Sequence, residues 1–260
     1  EILSSTGDWL ARGAFSPQSQ IAARVWTFDR DETVDAAFLR RRIQRAASAR
    51  ATRGTSDRNA FRVVHGESDG LPGLVVDRYA GVLVAQFLGA GPERWKAELV
   101  AALAEVFPDC SLYERSDTRA RTLEGLPPAC GPLRGGEPPE RVRARWAGLD
   151  FDVDVRHGHK TGAYLDQADS LQRIRTLAAG AEVLDAFCYS GAFSLAALAG
   201  GAARVLAVDS SEQALRNADS QRALNHLPDD RCEWLGGDVF TTLRGLRDRQ
   251  VRALEGPPHL

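Results

Sequence analysis

Three aspartates each follow a short apolar run in the last hundred residues. Asp185 lies in Val183-Leu184-Asp185-Ala186-Phe187, Asp209 ends Val205-Leu206-Ala207-Val208-Asp209, and Asp238 follows Cys232-Glu233-Trp234-Leu235-Gly236-Gly237. Taken singly, each reads as a helix cap or turn residue. Taken together, with Ser190-Gly191 opening the segment after the first run, they read as acceptors around one ligand. An acid after a second strand can accept both hydroxyls of a ribose, and an acid after a third can accept from an adenine amino group. The glycine lets the backbone approach the ligand closely. A dinucleotide would need G-x-G-x-x-G to admit its pyrophosphate at a helix amino terminus. Here the loop is Asp185-Ala186-Phe187-Cys188-Tyr189-Ser190-Gly191-Ala192-Phe193, with a single glycine and with bulk at Phe187 and Tyr189. That favours an adenosyl ligand without phosphates, such as S-adenosylmethionine. Ser210 and Val239, next to two of the acids, join the candidate cofactor residues.

The elements that must hold these residues alternate. Val183–Phe187, Val205–Asp209 and Cys232–Leu235 read as strands, with helices from Gly191 to Leu198 and from Ser210 to about Asn225 between them. Strand, helix, strand, helix, strand is the opening half of a doubly wound parallel sheet, and ligands bind such sheets outside the carboxyl ends of the strands. Upstream, residues 61–115 read as an α+β unit. Its strands are Phe61–His65, Leu74–Val76, Val82–Leu88 and Leu112–Glu114, and its helix runs from about Pro92 to Phe107. Residues 124–140, rich in Pro and Gly, read as an irregular loop, and Asp150–Val155 alternates as a half-exposed strand. Residues 1–28 read as short β segments, the last of them Ile21–Phe28. Ala36 to Ala47 carry helical spacing. This helix belongs to an Arg-rich segment, Arg40 to Arg58, with seven Arg and one acid, which is either a solvated face or a phosphate contact through Arg41, Arg42 and Arg45.

Composition bounds the reading. With 43% hydrophobic and 26% charged residues the chain is globular, and 260 residues suffice for a sizeable core. There is no signal-peptide pattern and no membrane-length apolar run, so the expectation is a cytoplasmic protein without membrane association. The four scattered Cys form no CxxC, and His157-x-His159 finds no third ligand at a useful spacing, so no metal is expected. A net charge of −2 gives no global attraction to nucleic acid. There are 31 Arg against 2 Lys, which weakens Arg abundance as a sign of RNA binding. Met is absent, so the chain reads as part of a longer protein.

The motifs, in order, resemble the ribosomal RNA large-subunit methyltransferase I family. The resemblance rests on Trp9-Leu10-Ala11-Arg12-Gly13, Ser16-Pro17 and Arg24-Val25-Trp26, then His65-Gly66-Glu67-Ser68-Asp69-Gly70-Leu71-Pro72-Gly73 and Asp77-Arg78. It continues through His157-Gly158-His159-Lys160-Thr161-Gly162, Tyr164-Leu165-Asp166-Gln167 and Tyr189-Ser190-Gly191. It implies the end of a β-barrel PUA domain over residues 1–29, a small α+β central domain over 30–156, and a partial Rossmann-like class I methyltransferase domain over 157–260. It further implies S-adenosylmethionine as cofactor, 5-methylcytosine formation in 23S ribosomal RNA, and a homodimer. Lys160, Tyr164 and Gln167 would close the cofactor site from the amino-terminal side. Ala168 and Leu171 stand where the family commonly has Arg, and Ala192 where Gly is frequent.

Cytosine C5 is a weak nucleophile, and attack of a thiolate at C6 activates it for methyl transfer, after which a base removes the C5 proton. Cys110, Cys130, Cys188 and Cys232 do not suit that role, so the nucleophile is expected in residues missing from this sequence, in a gap around 250 or beyond 260, and the catalytic residues stay unassigned. An NAD-dependent oxidoreductase and a non-catalytic RNA-binding module remain the alternatives.

Overall fold

A computed structural model of the chain describes residues 1–51 and 58–255. Arg53 and Asp57 of the Arg-rich segment, and Gly256-Pro257-Pro258, lie outside the described residues. The chain divides into two compact units: residues 1–146 with 152–166, and residues 147–151 with 167–260.

The first unit opens with a three-stranded antiparallel sheet, β1 (Ile2–Leu3), β2 (Trp9–Phe15) and β3 (Ala23–Thr27). Helix α1 (Ala36–Ala51) starts where the Asp35 carboxylate accepts the Phe38 N–H at 2.8 Å. A five-stranded sheet follows in chain order: β4 (Ala60–His65), β5 (Leu74–Tyr79), β6 (Val82–Phe87), β7 (Ser111–Ser116) and β8 (Ala129–Arg134). Its pairs are antiparallel except β6 with β7, which α2 (Ala90–Arg94) and α3 (Lys96–Val106) join as a crossover. All six residues of β6 are buried, five of them apolar as suits a central strand, and the sixth, Gln86, donates its amide to the Arg115 carbonyl at 2.9 Å. Phe38, Leu39 and Ile43 of α1 and Leu99 and Leu103 of α3 fill the core with Val63, Val76 and Leu83. Gly70 (φ 67°) and Gly73 (φ 76°) turn the chain between β4 and β5 in left-handed conformations that a side chain would strain.

Two sequence expectations need correction here. The helix expected over Pro92–Phe107 begins earlier, at Ala90, and is interrupted at Trp95. Pro92 sits in the first turn, where its missing N–H is harmless, and Trp95 leaves helical geometry (φ −98°, ψ 17°) with its ring packed on the core. The segment read as an irregular loop contains β8. As an edge strand it tolerates Gly131 and Pro132, and Arg134 anchors it by donating to the carbonyls of Ala104, Phe107, Pro108 and Cys110. A short α4 (Arg119–Leu123) precedes it, and β9 (Val142–Trp146) and β10 (Leu149–Val153) form a two-stranded sheet after it.

The first unit ends in the polar segment 157–166, which β5 and β7 hold. Thr161 Oγ1 donates to Asp77 Oδ2 at 2.6 Å and lies 2.9 Å from the Tyr79 hydroxyl, which accepts the Ala163 N–H at 3.0 Å. Arg115 donates to the carbonyls of Val155 and Gly158. Asp77 also accepts both Nε and Nη2 of Arg62, at 2.8 and 3.0 Å. Asp77, Tyr79 and Thr161 are fully buried, and desolvation pushes the Tyr79 hydroxyl well above the usual phenol range.

The second unit contains α5 (Ala168–Leu177), then β11 (Glu182–Ala186), α6 (Ala192–Ala199), β12 (Arg204–Asp209), α7 (Glu212–Leu224), β13 (Cys232–Gly236) and α8 (Val239–Glu255). The three strands are parallel in the order β11-β12-β13. This is the strand–helix alternation expected from the sequence, with boundaries within a residue or two. Ala197, Leu198 and Val205 form one core cluster with Ala178 and Ala202.

Asp77→Ala would strip two donors of their buried acceptor. Arg62 keeps 29% of its side chain exposed, so the expected loss sits at the low end of the range for broken buried pairs, roughly 3 kcal/mol. Urea unfolding monitored by circular dichroism measures it.

A candidate cofactor crevice

Strand register brings the carboxyl ends of β11, β12 and β13 together: Ala186 pairs with Val208, Val208 with Leu235, and Asp209 with Gly236. Asp209 then ties all three ends. Its Oδ2 accepts the Tyr189 N–H from the loop after β11 at 2.8 Å, and its Oδ1 accepts the Ser211 N–H at 2.9 Å. Its carbonyl accepts the Gly237 N–H, after β13, at 3.0 Å.

The loop between β11 and α6 is bent sharply. Phe187 (φ 62°) and Tyr189 (φ 50°) take left-handed conformations that bulky residues rarely adopt, and Gly191 takes another (φ 74°). Two hydrogen bonds besides that of Asp209 hold it: the Cys188 N–H donates to the Val208 carbonyl at 3.1 Å, and the Gly191 N–H to the Cys188 carbonyl at 2.8 Å. Left-handed strain at two bulky residues of one loop persists only where the surroundings enforce it, and it concentrates at ligand sites.

The other two aspartates cap helices. Asp185 Oδ2 accepts from the Ser194 N–H at 3.0 Å and from its hydroxyl at 2.6 Å, in the first turn of α6. Burial pushes the Asp185 carboxyl above its ordinary value, and the nearby Asp209 charge adds to the rise. Asp238 Oδ1 accepts the Thr241 N–H at 2.8 Å and its hydroxyl at 2.6 Å, and these bonds lower its pKa. The capping role that each aspartate admits when read singly is therefore occupied in both. Asp209 differs, because its carboxylate holds loops and caps no helix.

The remaining second-unit candidates lie around these ends. Phe187 is 56% exposed and meets Phe240, 59% exposed, edge to face at 5.5 Å between ring centroids. Val239 is buried, Ser210 exposed, and Ser190 half-buried at the loop's tip. Phe240 was not among the sequence candidates. Its signal was adjacency to Asp238-Val239 and an aromatic ring on a helix's first turn.

Lys160 and Tyr164 belong to the first unit, and Gln167 to the second. Lys160 is itself in a left-handed conformation (φ 56°). Its Nζ lies 3.0 and 2.9 Å from the two carboxylate oxygens of Asp166 and 4.3 Å above the Tyr164 ring. Tyr164 Oη lies 3.2 Å from His159 Nδ1. The Asp77–Thr161–Tyr79 ties that fix this segment were not anticipated, since the partners stand 84 and 82 positions apart.

The thiols fit no nucleophilic role. Cys188 and Cys232 are pushed up to about 12, in both cases chiefly by burial. Cys110 and Cys130 are also raised by desolvation.

The residues suit an adenosyl group. Each carboxylate oxygen of Asp209 accepts one backbone N–H and keeps a lone pair, enough for two vicinal hydroxyls. A Cβ on Gly191 would lie 2.8 Å from Ala218 Cβ and 2.9 Å from Trp234 Cη2, so only glycine fits at that bend. A family model described as S-adenosylmethionine-dependent methyltransferase matches residues 62–255. The chain belongs to that family. Its cofactor is S-adenosylmethionine, which decides between the adenosyl and dinucleotide readings of the sheet.

Curated relatives narrow the likeness. The chain is 47% identical over 253 residues to a protein of Aliivibrio fischeri named ribosomal RNA large subunit methyltransferase I, and 45% identical over 250 residues to one of that name from Escherichia coli. These matches cover 97% and 96% of this chain but 64% and 63% of the relatives, so the chain spans less than two thirds of their length. The resemblance drawn from the motifs is borne out. Among solved structures, a SAM-dependent methyltransferase from Streptococcus mutans superposes with TM-score 0.84 at 23% identity, over 95% of this chain and 64% of the other. A second methyltransferase, complexed with SAH, superposes with TM-score 0.85 at 23% identity over 95% and 63%. These confirm the methyltransferase fold.

The raised pKa of Asp185 predicts a pH effect of definite sign. Its folded-state pKa lies above the unfolded one, so the folded state binds more protons, and stability falls as pH rises through that interval. Asp185→Asn keeps an oxygen for Ser194 and cannot ionise. Thermal melting from about pH 4 to pH 8 should show the wild type losing ground to the variant as pH rises, with no further divergence above the folded pKa.

Proposed function

We propose that the full-length protein is an S-adenosylmethionine-dependent methyltransferase of large-subunit ribosomal RNA that forms 5-methylcytosine in 23S rRNA. The observation that carries the reading is the 45–47% identity to proteins named for that substrate, over nearly the whole of this chain. The product and the nucleotide class rest on the motif resemblance. So do the PUA-type origin of residues 1–29, the central and catalytic domains after it, and a cytoplasmic homodimer.

S-adenosylmethionine supplies an electrophilic methyl group when bound. In this reading the Asp209 carboxylate accepts the ribose hydroxyls, and the second oxygen of Asp238 accepts from the adenine amino group. Val239 and Phe187 offer apolar surface to the base. Tyr189, Ser190 and Gly191 turn the backbone towards the ligand, Ser210 flanks Asp209, and Asp185 positions the loop through α6. Lys160, Tyr164 and Gln167 enter as cofactor residues on the resemblance alone. No residue of this chain is assigned as the nucleophile or the base.

The RNA contact is proposed for α1, with unequal shares for its arginines. Arg41 and Arg42 both donate to Glu32, and Arg42 also stacks on Phe38. Arg45 is exposed and has no ion-pair partner among the described residues. Arg45→Ala in the full-length protein should weaken RNA binding and reduce the slope of log K against log salt by about one, measured by filter binding.

Incubation of the full-length protein with radiolabelled S-adenosylmethionine and 23S rRNA lacking the modification, followed by nucleoside mass spectrometry, tests the activity. Labelled 5-methylcytidine is expected. Methyl transfer to another base would overturn the product, and RNA binding without transfer would favour a non-catalytic binding module. Asp209→Asn should lower affinity for S-adenosylhomocysteine roughly 100-fold by calorimetry, since it removes the charged acceptor and turns an amide towards a backbone N–H.

A further inference from the structure

Trp234 lies on β13, outside every group of residues assigned to the cofactor, yet it supports the loop that bears them. The edge of its six-membered ring faces Gly191: a Cβ there would lie 2.9 Å from Cη2 and 3.1 Å from Cζ3. The same ring packs against the cluster of Cys188, Ala207 and Leu215. It thus packs against two of the five loop residues, Cys188 and Gly191. Its orientation is also fixed. Nε1 donates to Asp219 Oδ1 at 3.1 Å, and that oxygen accepts Arg222 Nε at 2.8 Å. Asp219 is half exposed and Arg222 is largely covered, so the pair anchors the indole from the surface of α7.

A loop with Phe187, Tyr189 and Gly191 all in left-handed conformations relaxes unless something opposes it. Hydrogen bonds at Cys188 and Tyr189 pull the loop towards β12. A rigid ring under Gly191 stops it from collapsing towards α7, where Ala218 Cβ also approaches. We infer that Trp234, oriented by Asp219, is a positioning residue that holds the Phe187–Gly191 loop in its cofactor-binding conformation. The inference rests on the cofactor reading above and adds to it a residue with no cofactor contact of its own. Preorganisation of this kind acts on affinity, since a relaxed loop must be reordered on binding.

The test uses the full-length protein, with S-adenosylhomocysteine as the titrant in calorimetry and initial rates measured against S-adenosylmethionine. Trp234→Ala should weaken binding about tenfold and Asp219→Ala about threefold, with Trp234→Phe between the two, because its shorter ring withdraws from Gly191 and loses the bond to Asp219. KM for S-adenosylmethionine should rise while kcat holds. Asp219→Ala alters a half-exposed side chain and should melt within about two degrees of wild type, so it decides the matter if Trp234→Ala fails to fold. Tryptophan emission should change on S-adenosylhomocysteine binding in the wild type, and that change should be lost in Trp234→Phe. If Asp209→Asn loses affinity while Asp219→Ala and Trp234→Phe bind and fluoresce like wild type, the inference is wrong and the cofactor reading stands. If Asp209→Asn binds undiminished, the cofactor reading itself fails.

Discussion

The second unit depends on one residue accepting three backbone N–H groups. Asp209 takes one from the loop after β11, one from the start of α7, and, through its carbonyl, one from the turn after β13. Parallel strands leave their connecting loops free to diverge at the carboxyl end, and here a single carboxylate and its own peptide group gather them. The strained loop, the exposed aromatic pair and the helix-capping aspartates all stand around that tie. Any ligand that also bonds to Asp209 meets an acceptor already fixed in position, so little ordering remains to be done on binding.

Much of this was legible in the sequence, for a definite reason. Asp185, Asp209 and Asp238 follow apolar runs at successive strand ends, and a doubly wound sheet leaves the ends of its strands little freedom of place. What stayed hidden was long-range or against local propensity. Gly131 and Pro132 disguised β8, because a residue that weakens a central strand does little harm at an edge. Trp95 interrupted a helix whose apolar stripe reads as continuous. Trp234 appeared as one apolar residue in a strand, and only the packing against Gly191 gives it a further meaning.

The arginines show how composition can mislead. The Arg-rich segment suggests a positive surface, but Arg40 pairs with Glu105, Arg41 and Arg42 with Glu32, and Arg50 with Asp69. The bidentate pair of Arg50 with Asp69 fixes the turn between β4 and β5, since Asp69 also accepts the His65 N–H. Much of the charge therefore works inside the first unit, as helix and turn anchors.

The ties from β5 to the segment 157–166 also complete the first unit. Asp77 to Thr161 and Tyr79 to Thr161 close loops of 84 and 82 residues, among the longest-range side-chain contacts in the unit. Closing so long a loop is entropically costly until both ends have something to dock on. The sheet from β4 to β8 thus supplies the surface on which the segment bearing Lys160 takes its left-handed bend. A chain cut short of Thr161 would leave Asp77 and Tyr79 buried without that partner, so the first unit is incomplete until its own last segment is in place.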